Sequence, residues 1–160
     1  MAENQKLSVG LRVFLKTYPW RKIDPVPVAR LVKPLSECRV AIVSSAGFVV
    51  PGDEPYSGSV RGGDYSYRVI PFDTDLKALE EFHRSDSFSR EGIDEDRNLG
   101  LPLNRLHELA AAGVIGSVAP RCVSLMGSIT APGRLVNRTL PEVGSLLVSD
   151  NVDVALMVPV

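Results

Sequence analysis

Three short, continuous apolar runs constrain the fold of this chain more than any other feature. They are CRVAIVSSAG (38–47), RCVSLMGS (121–128) and NVDVALMVPV (151–160). Apolar runs bounded by small residues are typical of parallel strands that are buried on both faces of a sheet. Because parallel strands need crossover connections, usually helical ones, the runs predict an α/β fold with a mostly parallel sheet.

A further strand and a short helix are predicted between the first two runs. Aromatic and polar residues alternate in YSYRVIP (65–71), which predicts a strand. The leucines of DTDLKALEEFH (73–83) recur at helical spacing, and Asp73 or Thr74 would cap that helix. Residues 84–100 are polar and contain glycine, so they are predicted to form a long loop.

Two longer helices are predicted in the second half of the chain. PLNRLHELAAAG (102–113) has proline in its first turn and Gly113 at the position that follows a helix end. PGRLVNRTLPEVGSLLVSD (132–150) has apolar residues at helical spacing, and Pro141 must kink or split it. These helices would flank the sheet.

The chain is predicted to be a single domain with an irregular N-terminal arm. Residues 1–37 form the arm, in which LRVFLKTYPW (11–20) could form a short helix that ends before Pro19. Pro25 and Pro27 exclude a regular helix across them, and Trp20 is expected to anchor the arm on the body. Residues 38–160 form the α/β domain. At 160 residues the chain is long enough to bury a core.

Composition excludes several classes of partner. The 18 lysines and arginines nearly balance the 19 acidic residues, so a nucleic-acid partner is not expected. No apolar stretch approaches the 18 residues of a membrane span, and the start MAENQKLSVG lacks the pattern of a signal peptide. Two cysteines do not make a disulfide framework. Together these features predict a cytoplasmic protein with reduced thiols.

Small polar residues end the first two runs. In open α/β sheets, ligands bind just beyond the carboxyl ends of the strands. The candidate substrate-binding residues are Ser44, Ser45, Gly47, Gly127 and Ser128. Their backbone N–H groups could hold a carboxylate or phosphate. The alternative is that glycine and serine only allow the chain to turn. Neither turn matches the nucleophile-elbow or dinucleotide-binding motif.

His83 is the most informative of the two histidines. It lies at the start of the long polar segment, close to Asp86. A histidine there could move protons, with Asp86 as a second accessory residue, or its charge could cap the end of the predicted helix. Both interpretations stay open. His107 lies within a predicted helix and is expected to be a surface or half-buried residue.

The remaining reactive side chains point to no metal or thiol site. Cys38 and Cys122 lie at the start of one strand and inside another, where buried thiols are usually inert. No histidine and cysteine have the spacing of a zinc site. The DEDR segment (94–97) lacks the calcium-loop pattern and is predicted to be a solvated turn. No metal is expected.

Several phrases together resemble a known family. They are KPLSECRVAIVSSAGFVV, YSYRVIPFDTDLKALEEFHRSDSFSREGIDEDRNLGLPLNRLHELAAAGVIGSVAP, SLMGSITAPGRL and VDVALMVPV. They are similar to selenoprotein B of the glycine/betaine/sarcosine/D-proline reductase family. The resemblance extends from about Lys33 to Val160.

The resemblance implies that the catalytic residue is a selenocysteine directly after Val160. We therefore expect no catalytic residue within 1–160, a chain truncated at the selenocysteine codon, and no activity of this form alone. In the family, a selenolate attacks an activated carbon of a small amine or amino-acid-type substrate, and a neighbouring thiol resolves the selenide. A thioredoxin-like dithiol donor and other reductase subunits are the implied partners.

A non-enzymatic interpretation is the alternative. In it, the chain is an α/β module that binds a small anionic metabolite and catalyses nothing. No cofactor is expected within the chain itself on either interpretation. The sequence also leaves open whether identical chains assemble with one another.

Overall fold

The computed structural model describes residues 8–85 and 90–160, which belong to two compact units, residues 1–30 and 31–160. In the described part of the first unit, helix α1 spans Val9–Thr17. Beyond its end, Trp20 donates its indole N–H to the Leu15 carbonyl and packs edge-on against Tyr18. The predicted anchoring of the arm on the body stays a prediction.

The second unit consists of short strands and helices. The strands are β1 (Arg39–Ser44), β2 (Phe48–Val49), β3 (Tyr67–Pro71), β4 (Glu80–Glu81), β5 (Ser117–Val118), β6 (Arg121–Leu125) and β7 (Val154–Val158). The α-helices are α2 (Arg90–Glu95), α3 (Leu103–Ala111) and α4 (Leu140–Ser149). Short 3-10 helices span Leu35–Glu37, Leu76–Ala78 and Arg97–Leu99, and a π-helical segment spans Leu135–Thr139.

Strand β1 is the centre of a mostly parallel sheet. On one side β7 runs parallel to it, with partners from Val40–Val154 to Ser44–Val158. On the other side β5 and then β6 run parallel to it, and β3 lies antiparallel beyond β6. Strands β2 and β4 form a separate antiparallel pair. The predicted fold class is confirmed, and the three apolar runs are neighbouring parallel strands.

Helices pack on both faces of this sheet because neighbouring residues of a strand point to opposite faces. Ile42 points to the face that is covered by Leu103 and Leu106 of α3. Val43 points to the other face, where Val143 of α4 packs against it. The continuous apolar sequence of β1 is therefore explained by a core on each face.

Charged side chains hold the amino ends of the parallel strands. The Arg121 guanidinium makes two hydrogen bonds to the Asp150 carboxylate, at 2.7 and 2.8 Å. Asp153 pairs with Lys33 at 2.7 Å and accepts the backbone N–H of Arg39 at 2.7 Å. These contacts join the start of β1 and the start of β6 to the α4–β7 connection.

The predicted helix over 73–83 is wrong. The segment contains only the 3-10 turn Leu76–Ala78, followed by strand β4. The Asp75 carboxylate accepts the Lys77 N–H and starts the turn, in place of the predicted caps. The Arg97 guanidinium then binds the carbonyls of Leu76 and Leu79, so these carbonyls are satisfied without a helix.

The predicted loop over 84–100 is also corrected. Within its described residues, α2 and the 3-10 turn Arg97–Leu99 are present, and the Asp96 carboxylate caps that turn by accepting the Asn98 N–H at 3.0 Å. The other two helix predictions are confirmed. Helix α3 ends before Gly113, whose φ is 70°, and the last helical segment changes from π to α geometry at Leu140, next to Pro141.

A buried carboxylate organises the loop between β2 and β3. Asp64 is 7% exposed and accepts hydrogen bonds from the Ser57 N–H at 2.8 Å, the Ser66 N–H at 2.9 Å and the Ser66 hydroxyl at 2.6 Å. Burial acts to raise the pKa of Asp64, but these hydrogen bonds outweigh it and the pKa is lowered. The ionised carboxylate is therefore the form that the fold stabilises.

We predict that Asp64→Asn lowers the free energy of unfolding by about 1–3 kcal/mol at neutral pH, because an amide cannot accept all of these bonds. A depressed folded-state pKa stabilises the protein above the unfolded pKa of about 3.9, and this contribution is lost as the pH falls through the folded value. Urea unfolding at pH 7 and at lower pH measures the difference, which should shrink on acidification. Asp73→Asn is the exposed control. Equal stability of both variants at pH 7 would contradict the prediction.

Candidate functional site at the carboxyl ends of the parallel strands

The carboxyl ends of three parallel strands are bonded together through their main chains. We call residues 44–47, 125–128 and 158–160 the carboxyl edge. The Ser45 N–H donates to the Val158 carbonyl at 3.0 Å, and the Gly47 N–H donates to the Leu125 carbonyl at 3.0 Å. The Ser45 hydroxyl accepts the Val160 N–H at 3.0 Å. The structure thus brings together the strand ends that the sequence predicted to meet.

The predicted substrate-binding residues occupy two different environments. Ser44 is buried, and its hydroxyl donates to the Gly100 carbonyl at 2.5 Å and accepts the Ala46 N–H at 3.1 Å. Ser128 is exposed and has a φ of 59°. The N–H groups of residues 45–47 all donate to acceptors within the chain. The exposed turn at Ser128 is therefore the more open side of the edge.

His83 lies against the carboxyl edge and is only 4% exposed. Glycines make room for it: a Cβ atom on Gly127 would overlap its Nε2, and one on Gly47 would lie 3.1 Å from its backbone nitrogen. The Ser85 N–H donates to Nδ1 at 3.2 Å, so a neutral ring carries its proton on Nε2. The nearby backbone of Val160 acts on the ring and raises its pKa.

Burial lowers the pKa of His83 below its ordinary value of 6.5. The nearby Arg90 also lowers this pKa, whereas Glu81 and the Val160 backbone raise it. The ring is therefore neutral at neutral pH and offers an N–H donor. The alternative role, a charged cap on a helix end, is wrong because strand β4 precedes His83.

The loop between β2 and β3 forms a second border of this site. Arg84 donates from Nη1 to the Val60 carbonyl at 3.1 Å, which ties the residue after His83 to the loop. The Ala131 N–H donates to the Gly62 carbonyl at 3.0 Å, which ties the segment after β6 to the same loop. Asp64 thus organises a loop that contacts both sides of the candidate site.

The other candidate side chains do not join the described site. His107 is exposed on α3, where its ring centroid lies 4.1 Å from that of Phe72. Burial raises the pKa of the Cys122 thiol to about 12, so it is not a thiolate at neutral pH. Cys38 is buried as well. Asp86 lies outside the described residues, and its predicted role stays a prediction.

The described residues of the second unit line a cleft at the carboxyl edge and a separate polar cavity. A shallow cleft of about 170 Å³ opens on the carboxyl edge and is mostly apolar; it is lined by Val43, Ser44, Ser45, Leu125, Met157, Val158 and Pro159. A polar cavity of about 440 Å³ is lined by Asp75, Leu76, Lys77, Asp94, Glu95, Asp96, Arg97, Asn98 and Asn104. The larger cavity shares no lining residue with the carboxyl edge.

Sequence reasoning missed two charged residues beside His83. The Glu81 carboxylate accepts the His83 N–H, and Arg90 donates from Nη2 to the His83 carbonyl at 3.0 Å. The sequence predicts a helix at Glu81 and a loop at Arg90, and neither assignment places the two side chains beside His83. The only signal for them in the sequence is that His83, one of two histidines, lies between an acidic and a basic residue that are nine positions apart.

Comparison with known proteins identifies the family. The sequence model of glycine/sarcosine/betaine reductase selenoprotein B matches residues 8–159. The chain belongs to this family. The match covers the three parallel strands, His83 and both turns of the carboxyl edge. The family resemblance stated from the sequence motifs is confirmed.

Curated relatives are reductase subunits. D-proline reductase subunit gamma of Acetoanaerobium sticklandii is 29% identical over 136 residues, which are 84% of this chain and 54% of that protein. Sarcosine reductase complex component B subunit beta of Peptoclostridium acidaminophilum is 34% identical over 125 residues, 75% of this chain and 28% of that protein. Glycine reductase complex component B subunit gamma of Symbiobacterium thermophilum is 27% identical over 114 residues, 71% of this chain and 27% of that protein.

The chain spans about half the length of the first relative and about a quarter of the other two. It is thus a member of an oxidoreductase family whose relatives carry the names of complex components. No solved structure matches it significantly. Within residues 8–85 and 90–160, no helix has the length and apolarity that crossing a bilayer requires.

We predict that Gly127→Ala displaces His83, because the new methyl group would overlap Nε2. Overpacking of this kind typically costs about 1–3 kcal/mol in the free energy of unfolding. The control is Gly133→Ala, at a glycine with nothing within 4 Å of the added Cβ. Urea unfolding and the NMR chemical shifts of the His83 ring measure both effects. Wild-type shifts and stability in Gly127→Ala would contradict the prediction.

Proposed function

We propose that this chain is the sheet-forming part of a selenoprotein B-type reductase subunit that reductively cleaves a small amine or amino-acid-type substrate. The reacting residue would be a selenocysteine, or a cysteine in its place, directly after Val160. A thioredoxin-like dithiol would donate two electrons, and its oxidation to a disulfide balances the replacement of a C–N bond by a C–H bond. Other reductase subunits would deliver the substrate.

The observation that carries this proposal is the position of His83 at the carboxyl edge. Its buried ring contacts the backbone of Val160, the residue before the proposed reacting position. Consecutive Cα atoms are 3.8 Å apart, so the next residue would lie beside the same ring. Family membership, which is independent of this geometry, supports a reductase.

The residues present fit an anionic chalcogen at that position. A selenol ionises more readily than a thiol, and the anion is the reactive nucleophile. The neutral ring of His83 has its N–H on Nε2, the nitrogen next to Gly127. It could donate a hydrogen bond to the anion and so orient it, while the two protons that the dithiol donor releases on forming its disulfide protonate the product carbon and the leaving amine. Ser45 would hold the preceding backbone in place.

Substrate binding is proposed for the open side of the edge. The turn at Gly127 and Ser128 and the hydroxyl of Ser45 would contact the polar groups of the substrate. Ser44 and Gly47 would act by shaping the edge, since their polar groups bond within the chain. Asp86 keeps its proposed accessory role.

The test compares the 160-residue chain with forms extended through the next position. The extension carries cysteine in one form and selenocysteine in the other, each followed by the natural downstream sequence. Reduction of glycine, sarcosine and D-proline is assayed with a dithiol donor and the partner reductase subunits. We expect dithiol-dependent turnover only in the extended forms, and a fall in kcat of about 100-fold or more with His83→Ala, because a positioned hydrogen-bond donor is lost.

Cys122→Ser is the matched control, because its buried thiol should take no part in turnover. Turnover by the 160-residue chain that Cys122→Ser abolishes would overturn the proposal. Substrate binding without turnover in every extended form would instead favour the alternative, a non-catalytic module for a small anionic metabolite. Isothermal titration with the same compounds measures that binding.

A further inference from the structure

We infer that Glu81 and Arg90 are positioning residues that clamp the backbone of His83 and so aim its ring at the carboxyl edge. We call these two side chains the His83 clamp. The inference rests on the proposed function only for the role of the His83 ring as a hydrogen-bond donor to the reacting group. The clamp itself can be measured in the 160-residue chain without any turnover.

The clamp is a closed cycle of contacts around one residue. The Glu81 Oε1 accepts the backbone N–H of His83. The Glu81 Oε2 pairs with Nε of Arg90 at 3.0 Å, and Nη2 of Arg90 donates to the His83 carbonyl at 3.0 Å. Both backbone polar groups of His83 are thus held by a single ion pair, which fixes the direction of its Cα–Cβ bond.

The two clamp residues reach His83 from opposite sides along the sequence. Glu81 lies in β4, which pairs with β2, and Arg90 is the first residue of α2. The clamp therefore connects strand β4 to the first residue of helix α2. An ion pair with one exposed partner contributes little to stability, and the Arg90 side chain is 61% exposed. What the clamp provides is a fixed orientation of the His83 backbone.

Three further contacts set the ring once the backbone is fixed. The Ser85 N–H holds Nδ1 as an acceptor, the Val160 backbone lies close enough to influence the ring, and Gly127 leaves space beside Nε2. A small displacement of a catalytic group can lower a rate about 100-fold, so aiming matters even where affinity is unchanged. The clamp would therefore direct the Nε2–H group of the buried His83 towards the carboxyl edge.

The clamp is also electrically neutral as a unit. Glu81 and Arg90 are the charged groups that influence the ring in the described residues, and their effects on its pKa have opposite signs. Burial is the larger influence and lowers that pKa. A neutral clamp therefore orients the ring without turning it into an imidazolium.

The experiment is nitrogen-15 NMR of the histidine side chains in the 160-residue chain, titrated with pH. The chain has only two histidines, and His107→Gln assigns them. In the wild type we expect the Nε2–H tautomer of His83 and a pKa below 6.5. In Arg90→Ala and Glu81→Gln we expect mixed tautomers. The pKa of His83 should rise in Arg90→Ala, which removes a charge that lowers it, and fall in Glu81→Gln, which removes a charge that raises it. Arg90→Lys should fall between the wild type and Arg90→Ala, because the ammonium keeps the charge but lacks the planar fork whose separate N–H groups contact Glu81 and His83.

Arg105→Ala is the matched control, since it removes an exposed ion pair with Glu108 at 2.6 Å. It should leave the His83 signals unchanged. A folded Arg90→Ala chain with the wild-type tautomer and pKa would overturn the inference. If Glu81→Gln does not fold, Arg90→Ala decides, because its side chain is mostly exposed.

In the extended enzyme, Arg90→Ala should lower kcat about 10- to 100-fold and leave KM within about twofold, because a misaimed donor affects the chemical step and not substrate binding. An unchanged kcat in a turning-over enzyme would also overturn the inference. Absence of turnover in every extended form counts against the proposed function alone, since the NMR arms still measure the clamp.

Discussion

The parallel pairing of β1 with β7 and β6 is the interaction on which the rest of the second unit depends. Five consecutive residue pairs join β1 to β7, and β6 joins the last two residues of β1 from the other side. A slip of one residue would exchange the two faces of β1 and move Val43 into the place of Ile42. The same pairing makes the three strands end together, so the carboxyl edge is a direct product of sheet register.

The two ends of the parallel strands differ in chemistry. At the amino end, Arg121 with Asp150 and Lys33 with Asp153 form ion pairs between segments. At the carboxyl end, serine, glycine and main-chain groups make the contacts, and the charges of Glu81 and Arg90 balance each other. A buried imidazole stays neutral in such surroundings. The sheet thus separates a charged, stabilising end from a weakly charged end.

The strands could be predicted from the sequence because continuous apolar runs report burial on both faces. Helix α3 could be predicted from the helical spacing of its apolar residues and from Gly113 after its end. The 73–83 segment could not, because Leu76 and Leu79 fit a helix equally well, and a distant guanidinium, that of Arg97, satisfies their carbonyls. His83 was found as a rare residue in a polar segment. Its clamp was not, because charged residues near turns carry no periodic signal.

The carboxyl edge is held together by main-chain hydrogen bonds and by the hydroxyls of Ser44 and Ser45. The bonds to Val158 and Val160 engage their carbonyl and N–H groups, not their side chains. Apart from these two serines, a frame of this kind tolerates divergence, because replacing another side chain leaves the hydrogen-bonded backbone in place. The relatives, 27–34% identical and bearing the names of three different reductases, are consistent with such latitude. Differences between relatives can then accumulate in the other side chains while the backbone of the last strand keeps its place.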